Sequence, residues 1–347
     1  MANNNDSVVE KITHAKVEAV ALRVVKEFQL AADKVAAHHG SPAKFPMPSG
    51  KAAAEHLLMS RFGQLSVAQQ KSAAERVTAD LNSGVARSNR LGDLAKVDLR
   101  SPTPVEAQVK SLPFPAKLKF PSDELRKLPP GSVVAEDADA AASALPELGK
   151  LEFRIHRVKC LDSTSEIGKD EIYLGGTCVD ESGDTKKVSQ FKVRSFHTGN
   201  EQVYSPPRQF TFFNLREGTN YPKSYFVTLV LAEVDWGGFA EFLNDLLDKV
   251  KAKVIAALAA AIGGAIGVSG GPIGIIIGTA VGFVVGEVFN YLKKLWGDEI
   301  FKPVTLSTVV PSLTSRWSGK EDSPERTVTY SGYGGKYQVV YDWRMFA

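Results

Sequence analysis

The chain has 347 residues, of which 44% are hydrophobic and 23% charged, with 42 basic and 39 acidic side chains and a formal net charge of +3. That length and apolar content build a sizeable core in about two folded parts, while so mild and interspersed a charge excludes a nucleic-acid-binding tail. The opening stretch MANNNDSVVEK lacks the charged-then-apolar order of a secretory signal, so the expectation is synthesis in a cytoplasm, with any action at a target membrane requiring export by a non-classical route.

Ser7 and Glu10 have the spacing of a capping box, and Val17, Val20, Val24, Phe28, Ala31 and Val35 then recur at three- and four-residue steps up to Gly40. This predicts a long amphipathic helix. After the breaker SPAKFPMPSG a second helix is predicted over 52–62, and a third from Ser66, whose Gln69 again fits a capping box, toward Gly84. Residues 1–100 therefore read as a helical region, a small bundle whose faces are too mixed in charge for a membrane-surface helix. Residues 101–148 turn to Pro, Ser and Ala, as in LPFPAKLKFPSDELRKLPPGS. They read as a semi-extended linker with room for one short helix.

From 149 to 347 the pattern changes to two-residue alternation. Candidate strands are LEFRIHRVKC, DEIYLGGTCV, KKVSQFKVRSF, RQFTFFNL, YFVTLVLAEV, KPVTLSTVV, RTVTYSG and KYQVVYDWRM, separated by Gly, Asp, Asn and Pro turns. The fold class is thus α+β and multidomain: an N-terminal helical region and a C-terminal antiparallel β-sandwich, the latter interrupted by an apolar helical hairpin at 238–299. Cys160 and Cys178 have neither a CxxC nor a metal-ligand spacing. Placed on neighbouring strands they fall out of register, so they read as buried reduced thiols.

The hairpin carries the strongest signal. Two apolar arms meet at Ser269-Gly270-Gly271-Pro272, with Gly263, Gly267 and Gly271 four apart in the first and Gly274, Gly278, Gly282 and Gly286 four apart in the second. Residues four apart share one helix face, so each arm presents a glycine groove into which another backbone fits. Each interior glycine costs about 1 kcal/mol relative to alanine, which only close packing offsets. An uninterrupted apolar arm of about 15 residues reaches roughly 22 Å, short of the roughly 30 Å hydrocarbon core. Glu287 and Asn290 would need partners in a bilayer. Trp236, Lys293, Lys294 and Trp296, with Lys249, Lys251 and Lys253 before the arm, suit a lipid–water interface. A water-soluble hairpin packed on the sandwich or on other subunits explains the same spacing, and a hairpin stored in the soluble form and released at a membrane satisfies both.

Two loops at strand ends gather carboxylates: Asp162-Ser-Thr-Ser-Glu-Ile-Gly-Lys-Asp170-Glu171-Ile-Tyr173, and Glu233-Val-Asp235-Trp236-Gly237. Calcium takes six to eight oxygen ligands of this kind, although acidic strand ends are also ordinary solvated turns. The first stretch resembles the D-x-x-G-x-S-D-P-Y signature of C2-like calcium- and phospholipid-binding domains, and the second is similar to their later D-x-D loop. The first loop here is longer, Glu171 stands for the proline, and Glu233 for an aspartate. Across residues 151–347 the resemblance implies a C2-like sandwich with Asp162, Asp170, Glu233, Asp235 and Asp298 as calcium ligands, and places the hairpin in a loop that such domains direct at membranes.

No GxSxG, HExxH or P-loop is present, and the expectation is a non-enzymatic protein. The late aromatic stretch YSGYGGKYQVVYDWRMF reads as a glycine turn into a terminal strand. Two functional readings follow. One is a membrane-inserting or pore-forming toxin or effector whose glycine grooves drive homo-oligomerisation on a lipid membrane, with calcium assisting. The other is a soluble structural or adaptor protein whose hairpin makes a protein interface.

Overall fold

A computed structural model describes residues 12–126, 146–164, 169–180, 184–218, 221–233, 239–264, 272–297, 301–332 and 334–347. Helices α1 (Ala15–Gly40), α2 (Ala54–Phe62), α3 (Val67–Asn82), α4 (Gly84–Leu91), α5 (Val105–Ser111) and α6 (Asp123–Arg126) come first. Strands β1 (Lys150–Asp162), β2 (Asp170–Val179), β3 (Thr185–Phe196), β4 (Glu201–Asn214) and β5 (Lys223–Ala232) follow. Helices α7 (Phe239–Ile262) and α8 (Pro272–Trp296) then interrupt the strands before β6 (Val304–Val310), β7 (Arg326–Gly332) and β8 (Gly335–Phe346).

The strands make two antiparallel four-stranded sheets, ordered β4-β1-β8-β7 and β3-β2-β5-β6. They enclose a shared core. Phe213 on β4 meets Tyr225 on β5 at 4.8 Å between ring centroids, Phe196 on β3 meets Tyr337 on β8 at 5.7 Å, and the Tyr330 hydroxyl donates to the Leu229 carbonyl. Cys160 and Cys178 are free and buried, one in each sheet rather than on paired strands. Burial pushes both thiols up, which keeps them unreactive. All eight strands match the alternating segments, but β4 begins seven residues earlier than its apolar pattern, at Glu201 rather than Arg208. Its added length runs through Pro206 and Pro207, which the position at a sheet edge tolerates because no ladder partner needs their missing N–H groups.

Among the helices, α3 starts with the expected capping box, Ser66 accepting from the Gln69 N–H and the Gln69 side chain accepting from the Ser66 N–H. The Ser7–Glu10 box lies outside the described residues. The described part of α1 opens instead at His14, whose Nδ1 accepts from the Val17 N–H at 3.3 Å. One correction concerns the linker. Its first part, 101–126, is packed chain: α5 forms there, and Val105, Val109 and Phe120 are buried with the helices. Pro104 at the N-cap starts that helix rather than preventing one.

The N-terminal helices and the hairpin pack against each other. The helical region and the hairpin form one hydrophobic core, running from Val17 and Phe28 on α1 through Phe62 on α2 to Leu246 on α7 and Val284 on α8. Helix α1 is its axis, touching α2, α3, α5, α7 and α8. Helix α8 then lies between this bundle and the outer face of the second sheet. This explains why β5 is buried at every position. Tyr225, Val227, Leu229 and Leu231 face the sandwich core, while Phe226, Thr228 and Val230 alternate toward the helices. A strand covered on both faces reads as a continuous apolar run.

Candidate functional site

The hairpin is the feature around which the rest is organised. Pro272 opens α8, where its missing N–H costs nothing, and the helix runs 25 residues, or roughly 37 Å at 1.5 Å per residue. Segment Ile276–Trp296 is long and apolar enough to cross a bilayer by length and composition, and two-thirds of its apolar window is buried inside the protein. The helix continues past the pure apolar run on the amphipathic face that the sequence carries through Phe289, Tyr291, Leu292 and Trp296.

The glycine stripe of α8 seats on a sheet, not in a helix groove. A side chain at Gly278 would overlap the Phe226 ring, a Cβ at Gly282 would lie 2.6 Å from the Thr305 Cβ, and one at Gly286 would lie 2.9 Å from Lys302 Cε. At Gly278 and Gly282 glycine alone fits without displacing a neighbour, whereas at Gly286 the neighbour is the flexible, half-exposed end of Lys302, which can move aside. Gly274 and Gly263 have no such neighbour. Gly263 has φ +74 and donates to the Ala259 carbonyl, which makes it the C-terminal cap of α7 rather than part of a groove. Gly267 and Gly271 lie outside the described residues.

Polar contacts from the N-terminal region hold both arms. Gln69 and Arg76 on α3 donate to the carbonyls of Gly297, Lys294 and Leu295, satisfying the open end of α8 with a cation at its negative pole. The N–H of Phe120 does the same for Ala261 at the end of α7, and Lys249 Nζ donates to the Ala52 carbonyl at 2.6 Å. Asp33, 1% exposed, accepts from the Tyr291 hydroxyl of α8 at 2.5 Å and from Arg90 at 2.7 Å, and Arg90 also binds Asp80 at 2.7 Å. On the other arm, Lys253 pairs with Glu27 of α1 and with Glu106 of α5. Glu287 accepts from Asn290 at 3.1 Å and from Lys302 at 2.9 Å; the first of these bonds lies within the helix and moves with it.

Of the proposed interfacial anchors, Trp296 is 1% exposed and stacks edge-on against Phe62 at 5.1 Å, so it faces the bundle rather than solvent. Its indole N–H meets no acceptor among the described residues. Lys294 is exposed and Lys293 half-buried beside Gly332, while Trp236 lies outside the described residues.

Of the proposed calcium ligands, Asp170 and Glu233 come together. The Thr164 hydroxyl lies 3.0 Å from Asp170 Oδ1 and 2.9 Å from Glu233 Oε1, and the Thr164 N–H donates to Asp170 Oδ2 at 2.7 Å. The Tyr337 hydroxyl also donates to Asp170. Asp170 is 1% exposed and both its oxygens are occupied by these donors. Asp162 is exposed at the end of β1 opposite Lys336, and Asp235 and Asp298 lie outside the described residues. Among the described residues, no three His, Cys, Asp or Glu side chains converge as a metal-binding group.

The carboxylates that hold the hairpin give the bundle a defined response to acid. Burial pushes Asp33 up against the pull of Arg90 and Tyr291, and pushes Glu27 up against Lys253 and Arg23, with Asp80 and Glu106 adding like charge. A carboxyl raised in the packed form takes its proton there at a higher pH than in the opened form, so acidification toward the ordinary values of 3.8 and 4.5 favours packing. Glu106 has the opposite sign: burial raises it, but Lys110 and Lys253 outweigh that and hold it at about 2, so its contribution is lost only as pH falls from 4.5 toward 2. Acid does not open these contacts between pH 7 and 5. Thermal melts followed by circular dichroism are expected to give a midpoint that rises as pH falls from neutrality toward the ordinary carboxylate range, and rises less in Asp33→Asn; an equal response in both chains would contradict this assignment.

Sequence reasoning missed these polar ties. Their one visible trace is Asp33-Lys34 set inside the apolar run LAADKVAA of α1, a charged pair where the stripe calls for a core. Lys34 is fully buried and donates to the carbonyls of Ser101 at 2.5 Å and Thr103 at 3.2 Å, anchoring the segment that leads into α5. Compared with protein-family models, with curated proteins and with solved structures, the chain matches none.

Proposed function

We propose that the protein is a non-enzymatic membrane-inserting effector whose hairpin α7–α8 is stored between the N-terminal helices and the sandwich and released at a lipid surface. One observation carries this reading: an apolar helix of membrane-spanning length is covered on both sides by the same chain, and its cover is tied to it by separable polar contacts. Release exposes the stripe of Gly278, Gly282 and Gly286, which then fits the close helix contacts that a dry bilayer favours, so the inserted form is an oligomer. Trp296 exchanges a buried N–H that is unpaired among the described residues for the headgroup zone that suits an indole. The C2-like reading of the sandwich adds calcium through Asp162, Asp170, Glu233, Asp235 and Asp298. The meeting of Asp170 and Glu233 at Thr164 supports it, and the donors already on Asp170 weigh against it.

A second reading is favoured by the fit of the glycine stripe on Phe226 and Thr305. In it the hairpin is a permanent core element of a soluble structural or adaptor protein. Dye release from phosphatidylcholine–phosphatidylserine vesicles separates the two. The storage reading expects leakage that rises with the phosphatidylserine content, and no leakage under any lipid or calcium condition leaves only the second. Leakage that is the same with calcium and with chelator removes calcium and keeps the hairpin.

A further inference from the structure

We propose that the cleft between α1, α5 and α7 is a binding site for a single-chain anionic amphiphile, of the class of long-chain fatty-acid carboxylates. The cleft has a volume of about 470 Å³, within the range that holds small organic ligands. Its floor is a face of α7 made of Ala252, Ala256 and Ala260, four residues apart and each exposed despite being apolar. Its walls are Val24 of α1, Val109 of α5, and Leu112 and Phe114 just after α5. Small side chains below and branched or aromatic ones above leave a slot suited to an alkyl chain.

The polar end selects the charge of the headgroup. Four cations line the cleft against two carboxylates, Glu27 and Glu106. Lys253 and Lys110 are used on those carboxylates, and Arg23 is used on Asp93. Lys249 is the remaining cation: its Nζ donates to the Ala52 carbonyl, and among the described residues it meets no carboxylate. A carboxylate placed there completes a charge pair, whereas an ammonium headgroup would meet like charge. The occupant lies between the hairpin arm α7 and the α5 segment that covers it, so filling the slot stabilises the packed form and holds that cover in place. This consequence rests on the membrane reading above; the binding itself does not, and is measured without lipid vesicles.

The test is displacement of dansyl-undecanoate from the intact protein by octanoate, decanoate and dodecanoate, below their micelle concentrations. Saturable binding is expected, with affinity rising about fourfold per added methylene until the slot is full. Ala256→Trp, which fills the slot from an exposed position, is expected to weaken dodecanoate at least tenfold with an unchanged circular dichroism spectrum. Lys249→Gln, which leaves the slot open, is expected to weaken dodecanoate about fivefold while dodecanol is unaffected. Absence of saturable displacement, or dodecanoate affinity unchanged in both variants, overturns the site. Vesicle leakage without fatty-acid binding would overturn this proposal and leave the membrane function standing.

Discussion

Replacing Gly278 by alanine is expected to lower the stability of the folded chain by about 2 kcal/mol, although alanine is the better helix former. Alanine gains about 1 kcal/mol over glycine in a helix interior. The new methyl, however, falls on the Phe226 ring, which is 3% exposed and has no room to withdraw, and overpacking of this severity costs about 3 kcal/mol. The second term wins. Phe226→Leu in the same chain opens the space and recovers part of the loss, so the two substitutions are non-additive. Gly274→Ala, three residues into α8 with nothing within 4 Å, has only the helix term and is expected to stabilise by up to about 1 kcal/mol. Urea unfolding followed by far-ultraviolet circular dichroism measures all of these. If Gly278→Ala stabilises as Gly274→Ala does, α8 does not lie on the sheet.

The second large effect is at Arg90. Removing its guanidinium in Arg90→Met leaves Asp33 buried with Tyr291 as its remaining hydrogen-bond donor among the described residues, with buried Arg87 as a cation that makes no hydrogen bond to it and with Asp80 nearby. An ionised carboxylate stranded in this way costs about 3 kcal/mol, the low end of the buried-pair range because the Arg90 side chain is a quarter exposed. Asp33→Asn added to Arg90→Met removes the stranded charge and is expected to recover most of the loss. The cation stacked over Tyr291 at 5.4 Å is lost in both chains, so recovery stays incomplete. Equal stability of Arg90→Met and the parent would mean that Asp33 does not tie the cover to α8.

Strand identity was legible because a sandwich strand alternates, and the eight alternating segments became the eight strands. Hairpin boundaries were legible from Pro272 and the glycine run. The partner of the glycine stripe was not, because spacing by four states that something comes close without stating what: Phe226 and Thr305 are ordinary strand residues until α8 lies across them. The single core shared by helices and hairpin was hidden for a related reason. Val17, Phe28 and Phe62 announce a buried face, but which apolar surface they cover is a long-range choice, and here it is an element more than 200 residues away in sequence. The packed state of 101–126 was obscured by its prolines, which mark the absence of regular hydrogen bonding and carry no information about burial. In the acidic loops, composition gave a ligand type, while the geometry brought two of the carboxylates to Thr164 and Tyr337.

Hydrogen exchange along α1 tests most directly whether the hairpin leaves its shelter at a lipid surface. In solution most residues between Val17 and Ala37 are buried against helices that include α7 and α8, Leu22 being exposed, and slow exchange of the amides in the buried stretch is expected. On phosphatidylserine-containing vesicles the account predicts at least hundredfold faster exchange of these amides, while those of β1 and β8 in the sandwich keep their protection. Protein that is bound to the vesicles and leaking them with α1 as protected as before would contradict it.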